Sequence, residues 1–283
     1  MCTIITLFQA HPAYPLVIAA NRDERYARPS SGPALLDEPR AVVAGRDLDF
    51  GGTWFGVNAQ GVAVAVADQG LTEGIGNRGR GVVEGDARRP ATPYPPSPIP
   101  HSPDKRSRGL LVLDALGCPT VGAVSALLAS IVPADYNPFT LLHADVRAAS
   151  IGHHTAGPVQ LRTLAPGIDV MVSAIGADHA RWRSEYVLGA LDPARLAERD
   201  APALRAALQA VLRHHAPPGE RDDAICRHRE DAGTVSSFVA LLAPDLAASQ
   251  LHCALGAPCR TPYVDYSHLL RALAGAAVRA PGG

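Results

Sequence analysis

Strand-like segments occupy both halves of this chain, and helical segments fall in two pairs between them. A doubly wound parallel sheet requires strands and helices to alternate regularly, and no such alternation is visible here. Two stacked sheets with helices on their outer faces accommodate the observed order. The sequence therefore predicts an α+β fold, a four-layer αββα sandwich, as a single domain over residues 1–283.

Two hairpins are predicted near the N-terminus. The apolar segments Thr3–Phe8 and Leu16–Ala20 flank a turn that contains two prolines. A second pair, Trp54–Val57 and Val62–Ala67, flanks a turn at residues 58–61, and its unbroken Val/Ala run predicts burial on both faces. Further strands are predicted at Phe139–Val146, Ala149–His153, Val159–Leu164, Ile168–Ser173, Thr234–Leu242 and Gln250–Leu255.

Helix boundaries follow from capping residues and prolines. Thr120 is placed to cap a helix that Pro133 ends, and Asp200 is placed to cap another. A proline-rich insertion at about residues 85–106, with seven prolines among residues 90–103, predicts a solvated loop. The predicted helices are Ser107–Leu116, Val121–Val132, Asp178–Leu191, residues 200–215 and Ser267–Val278.

The charge balance excludes several classes of function. A formal net charge of −1 provides no field that would gather nucleic acid or an anionic membrane. Lys105 is the only lysine and lies in the proline-rich stretch, which argues against Schiff-base catalysis. No segment approaches the roughly 20 apolar residues of a membrane helix. We therefore expect a cytoplasmic protein with small-molecule partners, and its oligomeric state stays open.

The cysteines and histidines do not suggest a metal site in the sequence. Five cysteines without paired spacing predict free thiols and not a secreted disulfide framework. Adjacent residues on a strand point to opposite faces, so the two members of His153-His154, or of His214-His215, cannot readily bind one ion. Cys226 is followed by a histidine two residues later. We expect these histidines to lie at the surface or to cap helices, and the cysteines other than Cys2 to be small buried apolar residues or unreactive surface thiols, with no metal bound.

Cys2 is the first candidate for chemistry. It directly precedes an apolar strand, which would hold it in a rigid sheet. Removal of Met1 would leave Cys2 with a free α-amine beside its thiol. An α-amine titrates near 7.7–8.0 and a free thiol near about 8.5, so proton exchange between them is nearly balanced. One residue would then supply both a nucleophile and its base.

The run Asn21-Arg22-Asp23-Glu24 ends the second strand, and a tight hairpin would place it beside Cys2. A carboxylate there holds the α-amine. Arg22 favours a thiolate or a substrate carboxylate.

These residues resemble a known family. Met1-Cys2-Thr3-Ile4, the segment from Pro15 to Glu24 and Gly51-Gly52-Thr53-Trp54-Phe55-Gly56-Val57 are similar to the Asn-Arg-Asp-Glu (NRDE) family, also called the transport and Golgi organisation family. Ser107-Arg108-Gly109, Tyr136-Asn137-Pro138-Phe139 and Gly233-Thr234-Val235-Ser236-Ser237 extend the resemblance across most of the chain.

The resemblance implies the fold of N-terminal-nucleophile hydrolases of the choloylglycine and penicillin acylase type. It implies Cys2 as nucleophile and base and Asp23 as the carboxylate that positions the amine, with Asn21, Arg22 and Asp68 completing the catalytic set. Glu24, Trp54 and Asn137 are expected to contact the substrate.

Three departures from the hydrolase pattern concern charge and hydrogen-bond donors. Ala20 stands where an arginine is usual, Asp68 stands where an asparagine is usual, and Ser173-Ala174 replaces a Ser-Asn pair that supplies an oxyanion donor. Loss of such a donor costs about 2.7–4 kcal/mol of transition-state stabilisation.

Two functions stay open at this point. The first is hydrolysis of an amide or thioester of a small acyl substrate, without a cofactor. The second is a noncatalytic carrier of haem or a lipid or acyl ligand on the same scaffold, because the family is associated with haem trafficking, lipid metabolism and secretory-pathway organisation; His143 or His153 would then border the haem. A third hypothesis makes the proline-rich insertion a docking segment for a partner protein.

Overall fold

The computed structural model describes residues 2–36, 41–68, 104–173, 177–215 and 224–279. Met1, Ala174 and nearly all of the proline-rich insertion lie outside these residues, and the docking hypothesis for that insertion lies there too. The strands are β1 (Thr3–Phe8), β2 (Leu16–Arg25), β3 (Ala34–Leu36), β4 (Val42–Ala44), β5 (Phe55–Asn58), β6 (Ala63–Asp68), β7 (Phe139–Ala144), β8 (Ala149–His154), β9 (Gln160–Thr163), β10 (Gly167–Val172), β11 (Ala232–Leu242), β12 (Gln250–Ala254) and β13 (Val264–Asp265). The helices are α1 (Arg108–Leu116), α2 (Val121–Ser130), α3 (Ala177–Ala190), α4 (Pro193–Ala197), α5 (Ala201–Leu212) and α6 (Ser267–Arg279).

The strands form two antiparallel sheets that stack face to face. The first has the order β10-β1-β2-β11-β12-β13, and the second runs from β3 to β9 in sequence order. Side chains of α3, α4 and α5 pack on the outer face of the first sheet, and those of α1 and α2 pack on the outer face of the second. This arrangement confirms the predicted four-layer αββα sandwich.

β1 shows why its apolar residues do not alternate with polar ones. Ile4 and Phe8 enter the core between the two sheets, whereas Ile5 and Leu7 enter the core beneath the helices. Because side chains alternate along a strand, a strand covered on both sides must be apolar throughout. The buried run in β6 has the same explanation, as its Val/Ala pattern predicted.

The N-terminal hairpin forms, but its second strand is longer than predicted. Thr3 pairs with Asn21 in β2, so Cys2 lies next to the Asn21–Glu24 run. β2 then continues through this charged run because Asp23, Glu24 and Arg25 pair with β11 instead of β1. Pairing with a distant strand is not visible in local sequence, which explains the short prediction.

Other boundaries also differ from the predictions, and the shortest elements are absent from them. α2 ends at Ser130 and not at Val132, because Ile131 is already extended ahead of Pro133. The three-residue strands β3 and β4, the two-residue β13 and the five-residue α4 are absent from the sequence prediction, since each is too short to carry a periodic pattern. Across the described residues, every helix falls short of the length and apolar character that crossing a membrane requires.

Candidate active site

A cleft of about 300 Å³ opens where β2 and β6 end and α1 begins. Seven of the eight residues predicted for the site line it. Five basic and four acidic side chains surround it, so its chemistry is that of charged groups and hydrogen bonds. The predicted residues in its lining are Cys2, Arg22, Asp23, Glu24, Trp54, Asp68 and Asn137.

Cys2 is half-buried in the cleft and is held by the sheet. Its carbonyl accepts a 2.8 Å hydrogen bond from the backbone N–H of Ser173, which extends the β1–β10 ladder by one residue. Burial raises the pKa of the Cys2 thiol; the amino terminus acts against this, and the carboxylates of Asp68 and Asp23 reinforce it. The uncharged thiol is therefore favoured, and reaction through a thiolate requires a base beside it.

Asp23 is positioned by an irregularity in the neighbouring strand. The β2–β11 register shifts between Thr234 and Ser236, so that Thr234 faces Asp23. The Thr234 hydroxyl donates a 2.6 Å hydrogen bond to Oδ1 of Asp23, and both residues are buried. Bulges commonly redirect side chains beside active sites, and this one fixes the carboxylate of β2 that shares the cleft with Cys2.

Arg22 presents an unsatisfied donor in the cleft. Its guanidinium lies 4.1 Å from the centroid of the Trp54 ring, and its Nη2 lies 3.8 Å from Oδ2 of Asp47. Nη1 is buried and has no hydrogen-bond partner among the described residues. A buried donor without a partner is costly, so a ligand carboxylate or carbonyl bound there would gain from satisfying it.

Glu24 is held by ionic contacts within the protein. Arg28 donates to Oε2 of Glu24 at 2.8 Å and also pairs with Asp47. Arg28 and Asp47 both line the cleft, and sequence reasoning misses them because they lie in loops without a recognisable motif. Their network fixes the side of the cleft on which Arg22 lies.

Asp68, which stands where the hydrolase pattern has an asparagine, forms an ion pair with an arginine. Nη2 of Arg108 lies 3.0 Å from Oδ1 of Asp68, and Nη1 of Arg108 donates to the carbonyl of Pro138 at 2.9 Å. An adjacent buried cation therefore offsets the repulsion that the Asp68 carboxylate would exert on a developing oxyanion. Arg108 is absent from the predicted site residues, although the Ser107-Arg108-Gly109 motif that contains it is a signal that points to it.

A close backbone contact brings the start of α1 into the cleft. Thr53 donates its backbone N–H to the carbonyl of Gly109 at 3.0 Å. A Cβ on Gly52 would lie 2.7 Å from the Cα of Gly109, so only glycine allows this approach. Ser107 caps the helix by accepting from the backbone N–H of Gly109 at 3.2 Å.

Asn21 is the predicted residue that the structure does not bring to the cleft. Its side-chain amide donates to the carbonyl of Leu212 at 2.8 Å and to that of Ile225 at 3.0 Å, beneath the sheet. Asn21 therefore anchors the chain segments on either side of residues 216–223. His143 and His153 are also absent from the described residues that line the cleft. The ring of His143 hydrogen-bonds to Ser125 in α2, and the ring of His153 hydrogen-bonds to Thr140 in β7.

Comparison with protein families and with curated proteins identifies relatives. The model of the family described as "Transport and Golgi organisation 2" matches residues 1–183. The human Transport and Golgi organization protein 2 homolog is 36% identical over 75 residues, which are 24% of this chain and 27% of that protein. The mouse homolog is 38% identical over 68 residues, 22% of this chain and 25% of that protein. The matched stretch thus spans about a quarter of the curated relatives' length.

Solved structures share the fold at low sequence identity. The C2A mutant of conjugated bile acid hydrolase from Clostridium perfringens aligns with a TM-score of 0.53 and 12% identity, over 95% of this chain and 93% of that chain. An N-acylethanolamine-hydrolyzing acid amidase ortholog from Caenorhabditis elegans aligns with a TM-score of 0.51 and 12% identity, over 85% and 92%. These similarities support the N-terminal-nucleophile hydrolase-like fold.

Proposed function

This chain belongs to the Transport and Golgi organisation 2 family, and from that premise we propose that it is an N-terminal cysteine hydrolase acting on an amide or thioester of a small acyl substrate. The observation that carries the proposal is the position of the Cys2 thiol in a charged cleft shared with Asp23. The bile acid hydrolase and the acid amidase with this fold are, by their names, hydrolases of conjugated bile acids and N-acylethanolamines. Acyl amides are therefore the first substrates to test.

The proposed reaction requires removal of Met1, after which the α-amine of Cys2 is the base. The amine takes the thiol proton as Sγ bonds to the substrate carbonyl carbon. The resulting ammonium gives that proton to the leaving amine or thiol as its bond to the carbonyl breaks. Water then adds to the acyl carbon, and the acyl–sulfur bond breaks to return the thiol and release the acid.

Arg22 supplies the proposed selectivity. Its Nη1, buried and without a hydrogen-bond partner among the described residues, would pair with a carboxylate or a polarised carbonyl on the substrate. Asp23, held by Thr234, would orient the ammonium, and the Arg108–Asp68 pair would border the leaving group or the oxyanion. Glu24, Trp54 and Asn137 line the space for the remainder of the substrate.

The first experiment measures the intact mass of the purified protein and then the mass after brief reaction with an N-acylglycine. Loss of Met1 and a transient acyl adduct mapped to Cys2 would support hydrolysis. Cys2→Ala should abolish both adduct and turnover, whereas Cys118→Ser, which changes a half-buried thiol outside the cleft, should leave both intact. Retention of Met1, or turnover that survives Cys2→Ala, would overturn the mechanism.

The selectivity is tested with the neutral N-methylamide of the same N-acylglycine. The wild type should prefer the carboxylate form, and Arg22→Gln should remove most of that preference. Equal turnover of the two substrates by the wild type would contradict the role assigned to Arg22, while leaving the role of Cys2 intact.

A carrier function is the second candidate, favoured by Asp68, a carboxylate at the place of an expected amide donor. Among the described residues that line the cleft, Cys2 has a side chain of a type that ligates haem iron, because cysteine thiolates are haem ligands. Haem titration followed by the Soret band would support this function if stoichiometric binding were lost in Cys2→Ala and no acyl adduct formed on the wild type.

A further inference from the structure

Four metal-ligating side chains that do not line the cleft meet at one place. His215 follows α5, Cys226 and His228 follow residues 216–223, and Cys259 lies between β12 and β13. One ligand atom from each residue lies within 4.8 Å of the corresponding atoms of the other three. Residues from three separate segments of the chain thus converge on one point. Sequence spacing does not predict this convergence, because the segments meet only in the folded chain.

The separations suit a tetrahedral zinc ion. With Zn–S bonds of about 2.3 Å and Zn–N bonds of about 2.05 Å, a tetrahedral site places two sulfurs about 3.8 Å apart and a sulfur and a nitrogen about 3.6 Å apart. The Cys226 and Cys259 sulfurs lie 3.7 Å apart. Nε2 of His228 lies 3.8 Å from the Cys226 sulfur and 3.2 Å from that of Cys259.

The local backbone favours this convergence. Cys226 and His228 are two residues apart, so in an extended segment both side chains point to the same side. His228 pairs through its backbone with Gly233, which fixes that segment against the start of β11. His215 completes the set, its ring 5.2 Å from that of His228. His215 is exposed, so an ion can enter beside it.

We propose that His215, Cys226, His228 and Cys259 form a structural zinc site. Two thiolates and two imidazoles balance the ion's charge and are a donor set that zinc prefers over harder cations. Four protein ligands leave no position for water or substrate, so the site stabilises the fold and takes no part in the reaction proposed for Cys2.

The site would fix a loop that reaches Asp23. The backbone N–H of Cys226 donates to the carbonyl of His214 at 2.9 Å, which joins the ends of residues 216–223. Next to it, Arg227 donates its backbone N–H to the Thr234 hydroxyl at 2.9 Å, and that hydroxyl donates to Asp23. Zinc at this point would therefore fix the position of the residues that support Asp23, without itself contacting the cleft.

Metal analysis of the full chain, purified with a non-thiol reductant and without chelator, tests the proposal. We expect elemental mass spectrometry to find about one zinc ion per chain. Replacement with Co²⁺ should give thiolate-to-cobalt charge transfer in the near ultraviolet and strong visible bands of tetrahedral cobalt. Cys226→Ser and Cys259→Ser should each lose at least nine tenths of the bound metal at micromolar Co²⁺.

Matched controls exclude general effects of thiol or imidazole loss. Cys118→Ser and His268→Gln change a cysteine and an exposed histidine outside the cluster and should retain full metal binding. Cys2→Ala should also retain it, so failure of the hydrolase proposal and failure of the zinc proposal are distinguishable. Equal cobalt binding by Cys259→Ser and Cys118→Ser would overturn the zinc site.

Two further outcomes keep the proposal testable if a ligand variant does not fold. Removal of zinc from the wild type by phenanthroline should lower its thermal midpoint by several degrees, and added zinc should restore it. A fully reduced chain that folds and binds neither Zn²⁺ nor Co²⁺ would overturn the proposal. If that metal-free chain also formed a Cys226–Cys259 disulfide on oxidation, the cluster would be a redox pair and not a zinc site.

Discussion

Thr234 donates its hydroxyl hydrogen to Oδ1 of Asp23 across the β2–β11 pair, at 2.6 Å and away from solvent. Both ends of this bond belong to the strand pair itself, since the register shift after Thr234 is what turns the two side chains together. Asp23 is therefore a cleft carboxylate whose position depends on a residue 211 positions later in the chain.

Thr234→Val should destabilise the protein, because it keeps the side-chain shape but removes the donor to a buried carboxylate. We expect the free energy of unfolding to fall by about 1–3 kcal/mol. Urea unfolding of the wild type and the variant measures this difference. Thr234→Ser retains the hydroxyl and should lose less than half as much. An equal or larger loss in Thr234→Ser would show that the methyl group contributes at least as much as the hydroxyl and would contradict the prediction.

Gly52→Ala should displace α1 from the cleft, because the new Cβ would meet the backbone of Gly109. Overpacking of this kind costs about 1–3 kcal/mol in unfolding free energy. Gly122→Ala is the matched control: Gly122 is exposed in α2, and a Cβ there would lie 4.0 Å from its nearest neighbour, Oγ1 of Thr120, so the change should raise stability by up to about 1 kcal/mol. A stable Gly52→Ala with wild-type unfolding would contradict the close contact.

Local sequence patterns are sufficient to predict the elements that surround the cleft. The unbroken apolar runs of β1 and β6 predict strands covered on both faces, and the Thr120 and Asp200 caps mark helix starts that the structure has. The hairpin places Cys2 beside Arg22 and Asp23 because a short turn leaves little choice of register.

Other features depend on contacts between distant segments and cannot be predicted locally. Asn21 shares the strand and the motif of its neighbours, yet its amide is drawn beneath the sheet by the carbonyls of Leu212 and Ile225. Arg108 becomes a site residue only because Gly52 and Gly109 allow α1 to approach β6. The His/Cys cluster cannot be assembled from the sequence, although three of its members are noted there, because its members come from three segments that meet only in the folded chain.

Asp68→Asn should make Cys2 more reactive at neutral pH. The pKa of the Cys2 thiol is raised mainly by burial, and the negative charge of Asp68 raises it further. Removing that charge leaves Arg108 beside the cleft and lowers the pKa, so more thiolate is present at a given pH. Alkylation by iodoacetamide, followed by peptide mapping of Cys2, should be several-fold faster at pH 7 in the variant.

The pH dependence provides the check on this prediction. Alkylation of Cys2 in the wild type should rise with pH and reach its midpoint above the pKa of a free thiol, about 8.5, and Asp68→Asn should move that midpoint down. Glu198→Gln removes an exposed carboxylate outside the cleft lining and should leave the profile unchanged. An unshifted midpoint in Asp68→Asn would show that Asp68 and the thiol are electrostatically independent.

His143 should make the fold sensitive to mild acid. Burial lowers the pKa of His143 from 6.5 to about 4, and its Nε2 lies 2.8 Å from the Ser125 hydroxyl. Between these two pKa values the unfolded chain binds a proton that the folded chain does not, so stability is retained above about pH 6.5 and lost as the pH falls toward 4. The loss attributable to this residue is about 3 kcal/mol.

Urea unfolding at pH 7 and pH 4.5 measures this loss, with His143→Gln as the variant that cannot titrate. Glutamine keeps a polar partner for Ser125, so the variant should be less stable than the wild type at pH 7 yet should lose less stability on acidification. His268→Gln removes an exposed histidine and should show the wild-type pH dependence. If His143→Gln lost as much stability as the wild type between the two pH values, other groups would have to account for the acid sensitivity, because His143 is the only titratable group that this substitution removes.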